Sequence, residues 1–172
     1  MNRRVTLDNK YFSNRQEQTV ANYLGWRVVR GSGARPMHPG DIEGSDWIGE
    51  CKTHTKLKSK VAFNQAVWAK LCNEATSKMK KPVLIVDSGT QRVDDTWVMV
   101  PTKLLPVELL NSGGFVDIDD KGKCPTTLSL DVNTLRANTD QGKILNRVGF
   151  GNMPVSIMTL MTFNSILRCE VD

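Results

Sequence analysis

Residues 41–52 read DIEGSDWIGECK. Two β-prone runs, DIE at 41–43 and WIGECK at 47–52, flank the turn residues Gly44, Ser45 and Asp46, and this pattern predicts a β-hairpin. Side chains alternate across a strand, so Glu50 and Lys52 project from one face while Cys51 points to the other. Asp41 opens the first strand, and a hairpin of this size brings its carboxylate beside Glu50. Two carboxylates with a lysine beside them at the end of a sheet suit a hard, oxygen-seeking cation such as Mg²⁺, with Mn²⁺ as its substitute.

Upstream, SNRQEQTVANYLG carries Ser13 and, three residues later, Gln16, a capping-box spacing that predicts a helix over 14–24 ended by Gly25. On that helix Glu17 shares a face with Val20 and Leu24, so its carboxylate turns inward, where it needs a partner. WRVVR reads as a short strand and GSGARPMHPG as a loop. Downstream, the basic loop HTKLKSK leads into a second helix over 62–79, with Phe63, Val67, Leu71, Ala75 and Met79 as an apolar stripe. VLIVD and TWVMV are two further strands. The order of elements implies an α/β fold with a mixed central sheet flanked by helices.

The C-terminal third is less regular. LLPVELL predicts a short helix, 112–127 loops with one strand at most, 131–145 a helix, and SIMTLMTFNSILR either a helix or strands. At 172 residues, with 40% hydrophobic and 24% charged side chains, the chain is sized for a single domain over 1–172. It has no apolar run near the ~20 residues of a membrane span and no signal-like start, so a cytoplasmic protein without membrane contact is expected. Cys51, Cys72, Cys124 and Cys169 are scattered without a CxxC pair, which argues against a zinc site and a disulfide framework.

The net charge is +5, unevenly spread: residues 1–81 hold 15 Lys or Arg against 7 Asp or Glu, and the remainder 8 against 11. A basic half suits a polyanion such as DNA. Arg30, Ser32 and Arg35, in or beside GSGAR, are candidate phosphate contacts, as are Lys56, Lys58, Lys60 and Lys70. His54, two residues past Lys52, and His38 are read mainly as bystanders, and Trp26, Trp47, Trp68 and Trp97 as packing residues.

Taken together, Glu17 in a first helix, GSGAR after a strand, Gly40-Asp41, Glu50-Cys51-Lys52 and Gln65 opening the next helix resemble the PD-(D/E)XK nuclease superfamily, most nearly the archaeal Holliday junction resolvases and related phage enzymes. The resemblance covers about 12–101 and leaves 102–172 as a C-terminal extension. The usual Pro before the first Asp is replaced by Gly40, with Pro39 one place earlier. What it implies is a restriction-endonuclease-like core and an Mg²⁺-dependent DNA endonuclease. Asp41, Glu50 and Glu17 would be metal ligands, Lys52 would act on the attacking water or the transition state, and Gln65 would position one of these. A homodimer acting on branched DNA is its first expectation. A restriction-like, nicking or end-processing nuclease of a phage or mobile element is the alternative, and a non-catalytic DNA-binding module the alternative of another class.

Overall fold

The computed structural model of the protein describes residues 3–30, 40–110, 114–115, 126–151 and 153–169, with the backbone alone at 3–8, 114–115 and 147–149. In chain order the elements are α1 (Arg3–Leu24), β1 (Arg27–Val28), β2 (Ile42–Glu43), β3 (Trp47–Lys52), β4 (Lys60–Asn64), α2 (Gln65–Ser77), β5 (Lys81–Asp87) and β6 (Thr96–Pro101). There follow α3 (Val107–Leu110), β7 (Gly114–Phe115), β8 (Thr127–Asp131), α4 (Val132–Thr139), β9 (Leu145–Phe150), β10 (Met153–Thr159) and α5 (Leu160–Cys169). Eight strands form one mixed sheet in the order β1-β2-β3-β5-β6-β10-β9-β7, and β4 pairs with β8 in a separate ribbon. The β3–β5 and β7–β9 pairs are parallel and the other pairs antiparallel.

Alternation along the central strands builds two cores. Val83 and Ile85 of β5 face one side with Val98 and Val100 of β6, where Val20 and Ala21 of α1 and Leu160 and Phe163 of α5 cover them. Leu84, Val86, Trp97 and Met99 face the other side, under Trp68 and Leu71 of α2, Leu135 of α4, and Val61, Phe63, Leu128 and Leu130 of the ribbon. A sheet covered on both faces needs near-continuous apolar strands, which is why β5 and β6 read VLIV and WVMV. Trp47, Trp68 and Trp97 are buried packing residues. Among the described residues no helix is long and apolar enough to cross a membrane.

Several expectations are corrected. The first helix begins at Arg3 rather than near 14, so Ser13 lies inside it and caps nothing, and Gln16 is buried. The second helix does not start at 62: Lys60–Asn64 is a strand, because Val61 and Phe63 alternate onto the core while β8 supplies a hydrogen-bonding partner. Asn64 then caps α2, its Oδ1 accepting from Val67 N at 3.1 Å. That helix stops at Ser77, so Met79, expected in the apolar stripe, stands 95% exposed at φ 56°. The helix expected over 131–145 ends at Thr139 and gives way to β9, and the run after Pro154 divides into β10 and α5. Ser32, Arg35 and His38 lie outside the described residues, as does Cys124.

The chain after 101 continues the same sheet: β10 pairs with β6 along Val155–Thr159, and β9 with β10. It also places Leu128, Leu130, Val132, Leu135, Leu145, Phe150, Val155 and Ile157 in the core under α2. At about 1.5–3 kcal/mol per buried side chain, these match or exceed the ~5–15 kcal/mol net stability of an ordinary domain. A fragment ending at residue 101 is therefore expected to show no cooperative thermal transition by circular dichroism. A sharp melt from that fragment would mean that 1–101 folds by itself.

Candidate active site

The hairpin forms in the expected register. Ile42 pairs with Gly49 and Glu43 with Ile48, so the next rung sets Asp41 opposite Glu50. Asp41 N donates to Gly49 O at 2.8 Å, and Asp41 Oδ2 accepts from Cys51 N at 2.9 Å, which fixes one carboxylate oxygen against the strand. Gly40 makes this approach possible. Its φ is +73°, and a Cβ there would stand 2.5 Å from Ile48 Cγ1. Proline, locked near −65°, could not take this conformation.

Glu50 and Lys52 project together, with Lys52 Nζ 2.6 Å from Glu50 Oε1. Burial lowers the Lys52 pKa, but the Glu50 hydrogen bond and the Glu50 and Asp41 charges outweigh it, so the ammonium is held charged above its ordinary range. Cys51, on the opposite face, is a buried thiol pushed well up by desolvation first and then by Asp41, Glu17 and Glu50. It stays protonated and inert.

A cleft of about 780 Å³ opens at the carboxyl ends of β1 and β3, beside α1. Glu17, Asp41, Glu50 and Lys52 line it together, and Lys10, Arg30 and Lys70 add cations from three different segments. Glu17 sits at the border of the inward face of α1 rather than within it: Gln16, Val20 and Ala21 are the buried positions, and Glu17 is half-buried. Desolvation first, then Asp41 and Glu50, raise its pKa from 4.5 to about 7, against a smaller lowering by Lys52. Three carboxylates, Glu17, Asp41 and Glu50, thus line the cleft with the Lys52 ammonium. Glu43, two residues past Asp41, is the contrast: Arg27, Lys78 and Lys80 contact it, and despite burial its pKa is lowered. It is a neutralised structural carboxylate.

The other candidates distribute as follows. Arg30 and Lys70 line the cleft, while Lys56, Lys58 and Lys60 are exposed on the segment after β3 and do not. His54 lines a smaller cavity of about 200 Å³ on the other side of Lys52, shared with Asp87. Gln65 opens α2 as expected but is not a cleft residue; its side chain lies beside Gly151. Sequence reasoning missed Lys10, Asn14 and Thr53 on the cleft wall, and the role of Gln16. Lys10 is seven residues before Glu17, the helical spacing that would have placed it on the same face had α1 been extended to Arg3.

Among the described residues no three His, Cys, Asp or Glu side chains stand gathered tightly enough to hold a metal by themselves. The chain matches no family model, no curated protein and no solved structure.

The raised Glu17 pKa has a consequence for stability. Below 4.5 the group is protonated in both folded and unfolded chains. Between 4.5 and about 7 the folded state holds a proton that the unfolded state has lost, so stability falls as pH rises and the loss is complete above about 7. For a half-buried group, solvent screening reduces the effect to about 1 kcal/mol. Glu17→Gln is expected to raise Tm by roughly 2–4 °C at pH 8 in the presence of a chelator and to leave it unchanged at pH 4. An equal Tm shift at both pH values would contradict the charge-repulsion account.

Proposed function

We propose that the chain is a divalent-metal-dependent DNA endonuclease with a restriction-endonuclease-like core. The observation that carries this reading is the convergence of Glu17, Asp41, Glu50 and Lys52 on one cleft rimmed by Lys10, Arg30 and Lys70. Carboxylates gathered at the centre invite a cation, and the basic rim invites phosphates. The donor set fits Mg²⁺: this ion takes one or two protein carboxylates and completes its shell with waters and substrate phosphate, so a preformed three-ligand group is not required. Asp41 and Glu50 would hold it, with Glu17 beside them. Bound there, the metal supplies Lewis-acid polarisation and a lowered water pKa.

The remaining chemistry belongs to the chain. The Cys51 amide fixes the Asp41 carboxylate, so that oxygen is presented without reorganisation. Lys52, held charged by donating to Glu50, has two further N–H donors at the cleft wall to orient an attacking water or neutralise charge developing on the phosphoryl oxygens. Lys10, Arg30 and Lys70 grip flanking phosphates and contribute affinity rather than rate.

The finer reading is a homodimer acting on branched DNA, because two symmetry-related sites cut a two-fold substrate in pairs. A matched panel of four-way junction, flap, duplex and single strand tests it, with paired symmetric cuts in the junction as the expected result.

Asp41→Ala, Glu50→Ala and Lys52→Ala are each expected to lower the Mg²⁺-supported cleavage rate about a hundredfold or more while leaving the fold and most DNA affinity intact. Mn²⁺ should replace Mg²⁺, whereas Ca²⁺, with looser coordination, should support binding with little cutting. A chelator should stop cleavage without unfolding the protein. Near-normal cleavage by Lys52→Ala, or cleavage in excess chelator, would end this reading.

A further inference from the structure

Gln16 is a polar side chain on the buried face of α1, one turn before Val20, and only 2% exposed. Its single amide nitrogen donates twice: to the Lys52 carbonyl at 3.0 Å and to Asp87 Oδ2 at 2.9 Å. Asp87, 1% exposed at the end of β5, is held in turn. Its Oδ1 accepts from Thr53 Oγ1 at 2.8 Å and from Gly89 N at 2.6 Å. Gly89 has φ +99°, and a Cβ there would stand 2.7 Å from Lys56 O, so the loop following Thr53 lies directly against this turn. The amide cannot be turned over, since its oxygen would then meet a carbonyl and a carboxylate.

The network joins α1, β3 and β5 at the end of the sheet where the cleft opens. Gln16 immediately precedes Glu17, and the carbonyl it grips belongs to Lys52, whose ammonium contacts Glu50. The apolar contacts of Val20 and Ala21 are non-directional and permit small slides of a helix on a sheet. Glu17, facing Asp41 and Glu50, is also pushed away from them by like charge. A two-way amide bond at the adjacent residue opposes both displacements.

Building on the nuclease reading, we propose that Gln16, anchored by Asp87, is a positioning residue that holds Glu17 against Asp41, Glu50 and Lys52 and thereby sets the divalent-ion affinity of the cluster. Gln91 provides a matched control. Its Nε2 donates to the Phe12 carbonyl at 2.6 Å, tying the same helix one turn earlier and away from the carboxylates.

The test compares Gln16→Met with Gln91→Met in the full chain, by calorimetric titration with Mn²⁺ alone and by thermal melting, alongside DNA cleavage by the unsubstituted protein. Groups that orient metal ligands typically contribute 10–100-fold in affinity. Gln16→Met is expected to raise the Mn²⁺ dissociation constant about tenfold or more and Gln91→Met by less than about twofold, with similar losses in Tm. Unchanged affinity in Gln16→Met, or an equal loss in both variants, would overturn the proposal. If Gln16→Met does not fold, Asp87→Asn, which keeps the shape but loses an acceptor, is expected to weaken Mn²⁺ binding several-fold, and unchanged affinity there overturns the proposal equally. An unsubstituted protein that binds Mn²⁺ but cuts no DNA removes the nuclease reading, and the affinity comparison still decides the role of Gln16. One that binds no Mn²⁺ overturns both.

Discussion

The parallel pairing of β3 with β5 is the constraint on which the site depends. It runs from Trp47 opposite Lys81 to Lys52 opposite Val86, and a parallel pair requires the chain to travel back the length of the sheet between its two strands. Here β4 and α2 make that return and cover one face, burying Trp68, Leu71 and Ala75. Because both strands run the same way, Lys52 and Asp87 finish at the same end. Helix α1, on the other face, adds Gln16 and Glu17 at that end. Ligand sites at the carboxyl ends of parallel strands are the general outcome of such geometry, because side chains from several elements converge there without being needed by the core.

The electrostatics follow a division of labour between two kinds of buried or half-buried carboxylate. Glu43 and Asp87 are each satisfied: the first by Arg27, Lys78 and Lys80, the second by Gln16, Thr53 and the Gly89 amide. Glu17, Asp41 and Glu50 line one cleft with Lys52, and the charges of Asp41 and Glu50 add to desolvation in raising the Glu17 pKa to about 7.

What was legible in the sequence was local. The register of the hairpin follows from a turn of three residues, so Asp41, Glu50 and Lys52 could be brought together on alternation alone. Glu17 was placed by helical spacing, though at the border of the buried face rather than within it. What was not legible depended on distant partners. Residues 60–64 look like the lead-in to a helix until β8, beginning at Thr127, offers them a strand to pair with. Gln16 fitted a capping box with Ser13, and its actual partners lie 36 and 71 residues away. The signal was present all the same: Gln16 stands four residues before Val20, a polar side chain on an apolar stripe, and such a residue must find a buried partner. Gln65 stands at the start of α2, as its place in the sequence order led one to expect, with its side chain near Gly151.

The central claim, that the carboxylate cluster is a divalent-metal site, is tested most directly by anomalous scattering from crystals of the unsubstituted protein soaked in Mn²⁺. The account predicts an anomalous peak in the cleft contacting Asp41 and Glu50, with Glu17 as its nearest remaining carboxylate. Full Mn²⁺ occupancy elsewhere with an empty cleft, or Asp41 and Glu50 turned away from a bound ion, would contradict it.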